Sequence, residues 1–110
     1  MIELTSKDLT CPFTTAQKVL SGKYSLIIIF HLKDGPVRFN ELLRKFDGLT
    51  HSSLTKQLRQ LEQFQLIHRE VYNQVPPKVE YSLTDLGKTL YPTINELTEW
   101  GSKYIEQCKG

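Results

Sequence analysis

The chain has no apolar run longer than the five residues Leu26 to Phe30, far short of the roughly 18 or more that a membrane span needs, so no bilayer crossing is expected. Cysteine is scarce. Cys11 and Cys108 stand near opposite ends, without the density of a secreted disulfide scaffold or the spacing of a metal site, and reduced thiols are expected. Met1 to Asp8 includes Glu3, Lys7 and Asp8 and no apolar signal segment, which predicts a cytoplasmic protein. The histidines His31, His51 and His68 are dispersed, and there is neither a glycine-rich phosphate loop nor a Cys-x-x-Cys pair. Nothing here predicts an enzyme, a metal or a cofactor.

A strong charge of one sign is missing too, since 14 basic residues face 12 acidic ones. The excess is local. Val37 to Gln65 carries Arg38, Arg44, Lys45, Lys56 and Arg59 against Glu41, Asp47 and Glu62, the most positive stretch of the chain. With 110 residues, 39% hydrophobic and 24% charged, the sequence predicts one globular domain over 1–110, with a modest core that a partner subunit would complete.

Glycine and proline serve as punctuation between short elements. Pro12 suits the first position of a helix, where its missing N–H costs nothing, so Cys11 is the expected cap of a helix to about Leu20. Tyr24 to Lys33 is apolar enough for a buried strand, but Gly35-Pro36 is a helix stop and favours a core helix. Phe39, Leu42, Leu43 and Phe46 fall at i, i+3, i+4 and i+7, predicting a short helix opened by Asn40 and closed at Asp47-Gly48. Thr50 then caps a second helix whose Leu54, Leu58 and Leu61 again form one stripe. Two amphipathic helices joined by a glycine-containing turn, about 39–64, make a helix-turn-helix candidate.

At about 100° per residue, Ser52, Lys56, Arg59 and Gln63 lie opposite that leucine stripe. This face holds hydrogen-bond donors and no carboxylate, because Glu62 sits nearer the apolar side. Ile67 to Tyr72 is rich in β-formers, and Val79, Tyr81 and Leu83 alternate with Glu80 and Ser82, predicting a two-stranded hairpin over about 67–83 around the loop Asn73 to Lys78. Thr84 caps a last helical region in which Leu90, Ile94, Leu97, Gly101 and Tyr104 have seam spacing, with a break or new start near Pro92. Trp100 and Ile105 widen this apolar surface. A homodimer built on it, through about 1–20 and 85–108, is the expected use; packing on the chain's own first helix is the alternative.

The order of these elements is that of an α+β, mostly α, winged helix-turn-helix with a two-stranded wing. The segments CPF at Cys11, GKYSLIIIFHL (Gly22 to Leu32), GPVRFNEL (Gly35 to Leu42), LTKQLRQLE (Leu54 to Glu62), PPKVEYSLTDLGK (Pro76 to Lys88) and EWG (Glu99 to Gly101) resemble the HxlR-type transcriptional regulators of bacteria. Departures are Tyr24 where the family usually has Trp, Lys78 where it often has Arg, and His51-Ser52 where it often has Gln-Lys. The last lies where sequence would be read, so the operator does not carry over.

The resemblance implies a dimeric regulator, more a repressor than an activator, on a pseudo-palindromic site in double-stranded DNA. Its DNA-binding candidates are Arg38, Thr50, His51, Ser52, Ser53, Thr55, Lys56 and Arg59, with Asn73, Gln74 and Lys78 in the wing. Leu90, Ile94, Leu97, Trp100, Tyr104 and Ile105 are the dimer candidates. Cys11, before Pro12 at a helix start that favours thiolate, is the candidate sensor of oxidants or electrophiles. Cys108 is a candidate partner from the other subunit. A winged-helix module that binds protein instead of DNA is the alternative function.

Overall fold

The computed structural model describes residues 4–6 and 8–110; residues 1–3 and 7, part of the expected dimerisation segment 1–20, lie outside it. A short 3-10 turn, Asp8–Thr10, precedes α1 (Pro12–Val19), and the following helix α2 (Ser25–His31) contains the apolar run. Ile28, Ile29 and Leu32 are wholly buried while Ile27 and Phe30 are exposed, the pattern of a helix with one face in the core. Gly35, at φ +133°, donates its N–H to the Leu32 carbonyl and turns the chain away.

Two expectations need correction in the next segment. Val37–Arg38 is a strand, β1, and α3 (Phe39–Leu43) starts directly from it with Arg38, not Asn40, at the N-cap. It ends at Leu43, not at Asp47-Gly48, where the chain tightens into turns in which the Lys45 and Phe46 N–H groups reach the Leu42 and Leu43 carbonyls. Arg38 is held extended by pairing with Glu80, so the chain reaches the helix two residues early and Asn40 already lies inside it. The sheet is consequently three-stranded, in the order β1-β3-β2, with β2 (Ile67–Tyr72) and β3 (Lys78–Leu83) forming the hairpin. β1 is two residues long, too short to leave an alternation in sequence, and exists only because β3 offers it an edge.

Helix α4 (His51–Gln63) lies across this sheet with Leu54, Leu58 and Leu61 fully buried against Ile28, Ile29, Leu42 and Ile67 in one core. Its end is a Schellman motif: Leu66 N–H reaches the Leu61 carbonyl, Gln65 N–H the Glu62 carbonyl, and Gln65 takes φ +65°, where glycine is usual. Next comes α5 (Asp85–Lys88), whose capping Thr84 accepts from the Gly87 N–H at 3.0 Å and donates to the Gln65 carbonyl at 2.7 Å. Gly87 lies so close to the Leu66 carbonyl oxygen that any side chain there would collide with it. The predicted break at Pro92 is present, since the 19-residue α6 (Tyr91–Lys109) begins anew with that proline in its first turn.

Candidate nucleic-acid interface

The Thr50 hydroxyl accepts from the Ser53 N–H at 3.1 Å, donates to the Ser53 hydroxyl at 2.9 Å and lies 3.3 Å from the Ser52 hydroxyl. Thr50 is therefore committed to starting α4. Thr55 donates to the His51 carbonyl at 2.9 Å, and the His51 ring lies against Phe39 with centroids 4.4 Å apart. Ser52, Lys56, Arg59 and Gln63 are all exposed on the outer face, opposite the buried leucines, and no carboxylate lies among them. Neither Lys56 nor Arg59 is in an ion pair with a described residue.

Arg38 stands exposed at the β1–α3 junction, lining an open groove with Arg44 and Lys78. Lys78 is not at the wing tip. It opens β3, lies 3.7 Å from the Glu80 carboxylate and 4.2 Å from the centroid of the Tyr72 ring, and its side chain is only 22% exposed. The tip itself is Asn73, Gln74 and a fully projecting Val75, followed by a cis Val75–Pro76 bond. Sequence reasoning set Lys78 near the base of the loop, as its last residue, because period-two alternation became visible only from Val79 onward.

A second surface lies at the chain's other end. Ile94 is 6% exposed and Leu90 packs against the same core, so these two are consumed within the chain and the expected seam is corrected at its start. Beyond them Leu97 is 45%, Trp100 62%, Tyr104 58% and Ile105 56% exposed, and the Trp100 and Tyr104 rings stack at 5.4 Å. The radius of gyration, 15.5 Å, exceeds the about 13 Å of a compact chain near this length, as expected when a helix projects. Cys11 and Cys108 are free and exposed. The Cys11 thiol is held below its ordinary pKa, first by the Thr14 hydroxyl and then by the Thr14 amide at the start of α1; burial opposes them, and the Phe13 amide adds a smaller lowering.

No helix among the described residues is long and apolar enough to cross a membrane. Residues 19–109 match the HxlR-like helix-turn-helix family. The chain is 49% identical over 107 residues to the HTH-type transcriptional regulator YdeP of Bacillus subtilis, covering 96% of this chain and 84% of YdeP. Its fold matches that of the redox regulator HypR in reduced form with a TM-score of 0.84 and 44% identity, over 90% of this chain and 98% of HypR. The transcriptional regulator YodB of B. subtilis, also reduced, matches with a TM-score of 0.76 and 32% identity, over 88% and 96% of the two chains. An acid-free outer face on a buried leucine stripe, a flanking hairpin and these relatives lead to one conclusion: the chain belongs to the HxlR-like helix-turn-helix family of DNA-binding transcriptional regulators, and is not an enzyme.

Proposed function

We propose that this regulator acts as a homodimer, most simply a repressor, with the α4 helix of each subunit in the major groove of one half of a pseudo-palindromic operator. The observation that carries the proposal is the exposed Ser52-Lys56-Arg59-Gln63 face, whose donors are free of carboxylates while the opposite side of the same helix is anchored in the core. Ser52, Ser53 and Lys56 lie toward the N-terminal half of α4, which meets base edges in this docking, with Thr55 and His51 beside them. Arg59 takes a phosphate or a guanine, and Arg38 a phosphate. Asn73 and Gln74 bring the wing to the backbone or minor groove, and Lys78 supports it from the strand. Half-sites are expected about 34–36 Å apart or a multiple of that.

The exposed apolar end of α6, from Leu97 through Trp100 and Tyr104 to Ile105, supports the dimer, together with Phe13 of α1, which is also exposed. Cys11 supports redox or electrophile control, because the environment that lowers its pKa raises the thiolate fraction available to attack. HypR, described as a redox regulator, is consistent with that assignment. A disulfide between Cys11 and Cys108 of the second subunit is the oxidised form to look for; diamide would accept the two electrons and two protons released.

Selection of bound sequences from random duplexes, with reduced and diamide-treated protein in parallel, tests the proposal. A palindromic consensus bound by reduced protein and lost on oxidation is the expected result. A monomer in solution, or binding that ignores salt, rejects it and favours a protein-binding module; true duplex binding loses affinity with a slope of about −0.9 per neutralised phosphate.

A further inference from the structure

We infer that the groove between α4 and the sheet holds one backbone phosphate of the bound duplex, gripped between Arg59 and Arg69, with Glu62 as the opposing charge that limits the grip. The inference rests on the DNA-binding reading above and adds two residues to it, Arg69 and Glu62.

The register of the hairpin sets Ile67 opposite Leu83, Arg69 opposite Tyr81 and Val71 opposite Val79. Residues directly opposed across an antiparallel pair share a face of the sheet, so Arg69 stands on the face of buried Leu83 and Tyr81, the face turned to α4. Arg69 itself is exposed, so its guanidinium sits on that face at the open side of the sheet, within reach of an anion arriving from solvent. Among the described residues, neither Arg69, Arg59 nor Glu62 is in an ion pair. Both arginines and Glu62 instead line one open groove of about 660 Å³, with Arg59 and Glu62 on its α4 wall and Arg69 on its sheet wall.

On α4 the stripe His51, Thr55, Arg59 and Glu62 spans about 80° of arc, turned roughly 90° from the leucine stripe. Arg59 thus borders both the outer face and the groove. A helix with its side chains is about 10–12 Å across and the major groove about 12 Å wide, so a docked α4 fills that groove and the strand bordering it must run alongside, toward the wing. The cleft between α4 and the hairpin is where that strand passes. It is open, which suits a polymer threading through, and two guanidiniums against one carboxylate leave it net positive. A phosphate bound there contacts both walls at once and fixes the wing's position relative to the recognition helix.

The test is fluorescence anisotropy on the selected operator and on a random duplex, across 50–200 mM salt. Arg69→Gln is expected to weaken both complexes by about tenfold and flatten the salt slope by about 0.9, the loss of one charge-assisted phosphate contact. Glu62→Gln is expected to tighten both several-fold. Arg69→Lys is expected to keep the slope while losing part of the affinity, since the charge remains and the fork does not. Scanning the operator with neutral methylphosphonates should find one position per half-site that costs the wild type but not Arg69→Gln.

If wild type grips the operator and Arg69→Gln, folded by circular dichroism, matches it in affinity and slope, the clamp is refuted while the DNA-binding reading stands. Failure of wild type on every duplex sinks the reading itself. Inorganic phosphate serves as the second probe. If it raises the melting temperature of wild type but not of Arg69→Gln, and duplex binding is equal in the two, the groove is a small-anion site and the clamp is overturned.

Discussion

Helices α4 and α6 are both amphipathic and use their two sides in opposite ways. On α4 the apolar stripe is spent entirely on the chain's own core: Leu54, Leu58 and Leu61 have no exposed surface, and the outer face is polar and cationic. On α6 only the first turns are spent this way, through Leu90 and Ile94, and the apolar residues that follow face outward. A fully buried stripe makes a rigid platform for a polar surface, whereas an unspent stripe is free energy held for another surface. A contiguous apolar patch on a small protein is costly to leave in water, and a second copy is its natural cover.

Breaking each stripe should therefore give opposite phenotypes. The largest effect is expected from Leu58→Ala, about 2–5 kcal/mol off the unfolding free energy in chemical denaturation, with DNA binding lost alongside the fold. Trp100→Ala should instead cost about 2 kcal/mol or more of association and little of protomer folding, seen as monomer by analytical ultracentrifugation with unchanged circular dichroism. Gly87→Ala should cost about 1–3 kcal/mol although it adds one methyl group, because the obstacle is the Leu66 carbonyl, a backbone atom that cannot swing aside. Thr50→Ala, removing the cap of α4, should cost about 1 kcal/mol and weaken operator binding in parallel.

The smallest effect sharpens the contrast between the two ends at the level of one thiol. Alkylation of Cys11 requires thiolate, so its rate should climb to a plateau at a pH below that of an ordinary cysteine and fall away as pH drops through the lowered pKa. Thr14→Val removes the largest cause of the shift, and its rate profile should move back toward higher pH. An unmoved profile would leave helix-start amides as the whole cause.

What sequence alone could establish was everything governed by a local period or a local cap. The stripe of α4, the Thr50 and Thr84 caps, the alternation of β3 and the restart at Pro92 each depend on neighbours within a few residues, and each is present; of the α3 stripe, Phe39, Leu42 and Leu43 lie on the helix while Phe46 reaches the core from the turn beyond it. Tertiary structure alone decided whatever needs a distant partner. Strand β1 exists through Tyr81 and Glu80, and the start of α3 at Phe39 follows from it. Lys78 is drawn to Glu80 and Tyr72, and Arg69 is brought to the groove that Arg59 lines. The division of the α6 seam after Ile94 belongs here as well. Spacing tells which residues share a face; only the packed chain tells how far along that face the core extends.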